Sequence, residues 1–178
     1  IIIRGIGARA QYGTNRLKAY FNEIPITTGD GQTAINDIDL EAIESVEIIK
    51  GPNSSLYGSG LGGVLHLFAY EPGKERSFAK ISSSFGSYQM QKNTVSAGYA
   101  DEKKSLFATY NHLQSEGYRD NSDYDRKSFH FNGTIYSGEH SALSFLGNFT
   151  RLKAYIPSSI SKTDFEENPE SAAFTWRS

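Results

Sequence analysis

Gly58-Ser59-Gly60-Leu61-Gly62-Gly63 has the spacing G-x-G-x-x-G, with which a strand, a glycine turn and a helix N-terminus hold a dinucleotide pyrophosphate. That chemistry needs a helix after the glycines, so that its free N–H groups meet the phosphates. Here the following residues, VLHLFA, read as a strand. The glycines are better explained as a turn whose backbone takes positive φ or passes close to a neighbour. His66, His112, His130 and His140 have no metal-ligand spacing. Ser54, Ser55 and Ser59 have no general base in a recognisable arrangement. With no cysteine there is neither a disulfide framework nor a thiolate metal site. No enzyme activity and no resident cofactor or metal is expected, and a net charge of -2 supplies no basic footprint for nucleic acid.

The elements that would position these residues fall into two styles. Up to about Tyr70, short strands mix with brief helical pieces. Strands are predicted at residues 16–21 (RLKAYF), 45–50 (SVEIIK) and 63–69. Asn36 or Asp37 can cap a short helix running to Ile43, and Pro52 suits the first turn of a one-turn helix reaching Leu56. From Ser77 onward the pattern is strand after strand, with no helix signal: 78–85, 92–99, 105–113, 127–136 and 141–155. The polar stretch 71–76 separates the two styles, giving a small α+β domain over 1–73 and an antiparallel β region over 74–178.

The second region has a particular geometry. Tight turns at 101–104 and 137–140 alternate with a modest loop after Phe85 and a long polar loop over 115–125, before the regularity ends at 157–168. Short turns at one end and longer loops at the other are what a transmembrane barrel requires. The later strands run to roughly nine to fifteen residues, against the ~9–11 that cross a bilayer at a tilt and the five or six usual in soluble sheets. Phe129, Phe131, Gly133 and Ile135 alternate with Ser128, His130, Asn132 and Thr134, and Leu143, Phe145, Gly147 and Phe149 alternate with Ser144, Asn148 and Thr150, with Leu146 as the exception. No run of about 18 apolar residues suggests a membrane helix, and the mean hydropathy of -0.48 suits strands with one polar face. Five strands leave unpaired edges that lipid does not tolerate. Together with an opening on Ile1-Ile2-Ile3-Arg4, this leads us to expect a piece of a longer chain.

Ile3-Arg4-Gly5, Asn22-Glu23-Ile24-Pro25, Val46-Glu47-Ile48-Ile49-Lys50-Gly51-Pro52, Leu56-Tyr57-Gly58 and Gly62-Gly63-Val64-Leu65 follow one another in order. In this order and spacing the segment resembles the plug of TonB-dependent receptors, whose pattern runs I-R-G, D-G-x-P, V-E-V-x-[RK]-G-P, L-Y-G, G-G-x-[IV]-N. The likeness covers residues 1 to about 70. Asn22 and Glu23 stand where Asp and Gly are usual, and His66 where Asn is common. Lys50 stands where Arg is frequent, keeping the charge but losing the bidentate fork. Gly60-Leu61-Gly62-Gly63-Val64 is unlike the A-N-G-V-I of the oligosaccharide branch and closer to the iron-complex branch.

The resemblance implies a plug filling the lumen of a barrel of about 22 strands, set in outer-membrane lipid of a Gram-negative bacterium. It implies import of a ferric siderophore or similar iron complex, with cobalamin, haem and other nutrients, or a passive channel, as alternatives. TonB would act through a segment upstream of Ile1. Arg4 and Lys50, with Glu47, would latch the plug, and Gly51, Gly58, Gly62 and Gly63 would shape its turns. Cargo would meet the apex loops through Arg9, Gln11 and Tyr12, and the long barrel loop through Tyr118, Arg119 and Tyr124, because Arg and Tyr can hydrogen-bond an anionic or catecholate chelate.

Overall fold

The structure, a computed structural model, describes residues 18–28, 33, 35, 38–50, 63–73, 77–138 and 141–176. It divides into two compact units, Ile1–Glu71 and Pro72–Ser178.

The first unit carries a four-stranded mixed sheet in the order β2-β1-β4-β3, with β1 at Lys18–Phe21, β2 at Ile24–Pro25, β3 at Ile43–Lys50 and β4 at Gly63–Ala69. β4 is internal, parallel to β1 and antiparallel to β3. A strand enclosed in this way reads as a near-continuous apolar run, as GVLHLFA does. Its Val64, Leu65, Leu67 and Ala69 form the core with Ala19 and Phe21 of β1, closed by Ile38 and Ala42.

The β1–β2 turn shows why the departure at Asn22 is tolerated. Asn22 sits at φ 51°, in the left-handed region that Asn enters more readily than most residues. Its Oδ1 accepts the Ala69 N–H at 2.8 Å, and its own N–H donates to the Leu67 carbonyl at 2.7 Å. The turn is thereby tied to the internal strand.

The helix expected to reach Ile43 is only a 3-10 turn, Leu40–Ala42, capped by Asp39, whose Oδ1 accepts the Glu41 N–H at 3.0 Å. β3 follows at once and uses Ile43 as its first residue. The caps expected at Asn36 and Asp37, and the one-turn helix from Pro52, lie outside the described residues.

The second unit is an antiparallel meander, β5 to β9 in chain order: Ser77–Phe85, Gln91–Ala100, Lys104–Ser115, Tyr124–Tyr136 and Ala142–Ala154. The ladders are regular from end to end, so side chains line up in rows across the sheet. Two expectations are corrected. Tyr124 is not in the long loop: it opens β8, paired with Ser115, because the ladder continues three residues beyond the predicted start at Lys127.

The region from Ser77 onward also contains a helix, α1, at Lys162–Glu167. Ser161 caps it, its Oγ accepting the Asp164 N–H at 3.0 Å and donating to Asp164 Oδ2 at 2.7 Å. Ser-x-x-Asp is a helix-start signal that Pro157 and the long strands before it had overshadowed.

Candidate functional site

Of the residues expected to matter on the plug side, Arg4, Arg9, Gln11, Tyr12, Gly51, Gly58 and Gly62 lie outside the described residues. Glu47, Lys50 and Gly63 do not. Glu47 pairs in register with His66, and Lys50 with Gly63. Three positions apart on one strand, Glu47 and Lys50 project from opposite faces, and among the described residues neither makes an ion pair within 4.0 Å. Gly63 sits at φ +125°, and a Cβ there would collide with the carbonyl oxygen of Ile49. His66 stands edge-on to Tyr20, with ring centroids 5.2 Å apart, and to Phe68 at 5.4 Å. The substitution for Asn thus puts an aromatic ring into an aromatic row.

The β5–β9 sheet is inverted relative to a water-soluble one. Its polar rows are shielded: Thr94, Ser96, Thr109, Asn111, Ser128 and Asn132 are buried, and His130 is 1 % exposed. Ser96 and Thr109 hydroxyls lie 2.8 Å apart, and His130 Nε2 is 3.1 Å from Asn132 Oδ1. The opposite rows are exposed and apolar, with Leu143 at 66 % and Phe149 at 64 %.

Glycines are matched to rings on that apolar face. Gly147 pairs with Phe131, and Gly133 with Phe145. A Cβ on Gly147 would strike the Phe131 ring, which lies nearly parallel to Phe149 (18°) at 6.4 Å. Rings laid over glycines make a smooth apolar band, the surface a barrel turns to lipid.

At the end where the longer connections lie, residues 119–123 are bound to the segment after β9, and the 86–90 loop is tied through Tyr88 to Ser115 and Glu116. Arg119 donates from Nε and Nη2 to the Ser171 carbonyl at 3.0 and 2.7 Å, and from Nη1 to the Ser158 carbonyl at 2.8 Å. Asp120 N–H donates to Glu170 O at 2.7 Å, and Asn121 Nδ2 to Ile156 O at 3.2 Å. Tyr118 meets Tyr88 edge-on at 5.6 Å. The expected loop residues Tyr118 and Arg119 therefore lie in a built cluster, while Tyr124 begins the strand below.

One residue escaped the sequence reading. Arg126 shares the polar face of β8 with Ser128 and His130, and its Nε and Nη2 are buried with no hydrogen-bond partner among the described residues. The signal was its parity with Ser128, missed because the predicted strand began at Lys127, the residue after it. Among the described residues no group of acidic and histidine side chains could hold a metal ion.

Residues 1–64 match the family model described as the TonB-dependent Receptor Plug Domain. The metal-pseudopaline receptor CntO of Pseudomonas aeruginosa is 40 % identical over 96 residues, covering 52 % of this chain and 13 % of that protein. The vitamin B12 transporter BtuB of Photobacterium profundum is 41 % identical over 59 residues, 32 % of this chain and 9 % of that one. In fold, the pyoverdine outer membrane receptor FpvA from Pseudomonas aeruginosa bound to pyoverdine superposes with a TM-score of 0.63 at 16 % identity, over 75 % of this chain and 20 % of its own. The chain thus spans a small part of the length of these relatives, which are receptors and transporters and not enzymes. Residues 1–64 are thus the plug module of the TonB-dependent receptors, and the strands that follow in the same chain share the fold of solved outer-membrane receptors.

Proposed function

We propose that this chain is part of an active outer-membrane importer of a ferric siderophore or similar metal chelate, in which residues 1–73 stopper the barrel that residues 74–178 begin. The observation that carries the reading is the likeness over 96 residues to a receptor named for a metal chelate. The shorter match to a vitamin B12 transporter keeps cobalamin as the second reading. A passive channel would not need a plug. A lumen wide enough for a chelate leaks unless closed, and a closure that must open in water is better held by polar and ionic contacts than by packed apolar ones.

TonB, pulling through a segment upstream of Ile1, would supply the force. Arg4 and Lys50 hold the plug by charge, with Glu47 as the carboxylate on the plug side. Cargo lands on Arg9, Gln11 and Tyr12 and on the loop end that carries Tyr118 and Tyr124. Arg119 contributes by fixing that loop end through its three bonds to carbonyls. Arg126 adds a cation to the polar face below.

The test is uptake of a radiolabelled ferric siderophore panel and of labelled cobalamin by cells making the full-length protein, with and without TonB. TonB-dependent uptake of a ferric chelate is expected. Uptake of cobalamin alone moves the assignment to the second reading, and uptake independent of TonB removes active transport. In the same cells Arg4→Ala is expected to admit large antibiotics, since losing one partner of a buried ion pair costs ~3–5 kcal/mol. An unchanged exclusion limit removes Arg4 from the latch.

A further inference from the structure

The short turn between β6 and β7 sets a charge of each sign around one tyrosine. Lys104 Nζ lies over the Tyr99 ring, 5.2 Å from its centroid, and the Tyr99 hydroxyl donates to Asp101 Oδ2 at 2.8 Å. Among the described residues neither Lys104 nor Asp101 makes an ion pair within 4.0 Å. A carboxylate has about four acceptor sites. Asp101 Oδ1 takes the Lys103 and Lys104 N–H groups and Oδ2 takes the Tyr99 hydroxyl, which leaves a site on Oδ2 open. Glu102 and Lys103, also of opposite charge, are exposed at the tip of the turn.

Tyr99 also walls an apolar notch of about 360 Å³, together with Ala97, Leu106, Ala108, Phe131 and Phe145, all on the outward face. That volume is within the range of clefts that hold small molecules. The notch follows from the register. Ala97, Ala108, Phe131 and Gly147 form one row across the sheet, and the Phe131 ring lies over Gly147, away from the two alanines. In the next row toward the short turns, Leu106 and Phe145 converge over Gly133, so Leu106 leans away from Tyr99. The row between these two, Gly98, Phe107 and Asn132, faces inward, and at Gly98 it is backed by Phe78 and Pro72. The gap therefore opens on the apolar side.

A separated cation and anion at the end of an apolar notch are the complement of a zwitterionic headgroup with an acyl chain. In a barrel wall the short turns lie on the periplasmic side. We propose that this end of the β6–β9 face holds one diacyl phospholipid with a primary-ammonium headgroup, taken from the periplasmic leaflet. Its phosphate meets Lys104, its ammonium donates to the open site on Asp101 Oδ2, and one acyl chain passes Tyr99 into the notch at Ala97 and Ala108. Both polar contacts are charge-assisted. A glycerol headgroup offers Asp101 only a neutral hydroxyl, and a trimethylated ammonium has no N–H to donate. The proposal rests on the reading of this sheet as part of an outer-membrane barrel wall and is independent of the cargo.

The full-length protein is delipidated in a non-ionic detergent and titrated with dioleoyl phosphatidylethanolamine, and with the phosphatidylglycerol and phosphatidylcholine of the same chains. Bound lipid is read by native mass spectrometry. The ethanolamine lipid is expected to bind roughly 10-fold more tightly than the other two, about 1.4 kcal/mol. Lys104→Gln should weaken it by a similar factor. So should Ala97→Leu/Ala108→Leu, which fills the notch and leaves the headgroup contacts in place. Lys127→Gln, which removes a cation near the opposite rim, should leave affinity unchanged. Equal binding of the three lipids overturns the proposal, as does undiminished binding by the alanine double variant. A loss in Lys127→Gln equal to that in Lys104→Gln overturns it in favour of general charge attraction.

Heat-modifiable mobility reports whether each variant is folded. If the alanine double variant is not, dihexanoyl phosphatidylethanolamine tests the notch on the wild type, since its chains are too short to fill it; binding as tight as the dioleoyl lipid sinks the idea. Insertion into pure phosphatidylcholine vesicles is scored separately. A protein that fails to insert there refutes the barrel reading itself, whereas one that inserts without preferring the ethanolamine lipid refutes only this site.

Discussion

Gly63 shows how much one residue can carry. Its φ of +125° and the carbonyl of Ile49 against its missing side chain admit only glycine where β3 and β4 close their ladder. Gly63→Ala is expected to cost at least ~1–3 kcal/mol from the backbone alone, before the collision is counted. In the full-length receptor the plug should then become the first segment cut by protease, while the barrel stays heat-modifiable. An unchanged cleavage pattern would show that the strand can shift to make room. The turn glycine was readable from the spacing of the motif, but its partner was not. Arg126 and Arg119 show the same boundary from the other side. Both were visible as cations, yet only the fold shows that one has its Nε and Nη2 buried on the polar face and the other is committed to the carbonyls of Ser158 and Ser171.

At the scale of elements, the strands were the readable part, because alternation with period two identifies a face before any partner is known. The turns are where pH enters. Asp101 closes the β6–β7 connection, accepting the Tyr99 hydroxyl at 2.8 Å and the Lys103 and Lys104 N–H groups at 2.8 and 2.9 Å. The Tyr99 hydroxyl first, and the Lys103 N–H after it, hold its carboxyl below the usual carboxylate range. A depressed carboxyl stabilises the turn above its unfolded pKa, and that stabilisation is lost as pH falls through the folded value. Protection of the Lys103 and Lys104 amides, corrected for intrinsic exchange, should therefore hold at neutral pH and fall on acidification below the ordinary Asp range. In Asp101→Ala, which removes the acceptor, it should be low throughout. A pH-independent protection in the wild type would separate the turn from this carboxylate. α1 was misread because Pro157 and the long strands before it signalled an end to order, whereas its own Ser161-x-x-Asp164 cap is local and short.

At the scale of the whole molecule, polarity decides the environment. An exposed apolar face opposite a shielded polar one would be a liability in water and is a requirement in lipid. Phe145→Lys, in the middle of the apolar band, should destabilise the full-length protein in vesicles by about 2–4 kcal/mol, as cationic side chains at the bilayer midplane do. Denaturant titration in vesicles measures it. A change within ~0.5 kcal/mol, as at an ordinary wet surface, would mean that this face does not meet lipid.

The sequence by itself determined the plug motifs in order, the strand–turn–strand rhythm and the alternation that separates two faces, because each is set by local spacing and backbone preference. It also excluded the dinucleotide reading of Gly58 to Gly63, since a strand and not a helix follows. Only the tertiary structure decided which residues stand beside one another. Cross-strand register puts Lys127 against Arg151 and Phe131 over Gly147, although each pair lies far apart in the chain. The same holds for the long-loop end, where the grip of Arg119 on a segment some fifty residues later depends on how β8 and β9 return the chain. Local pattern fixes what each segment presents, and long-range pairing fixes what it meets.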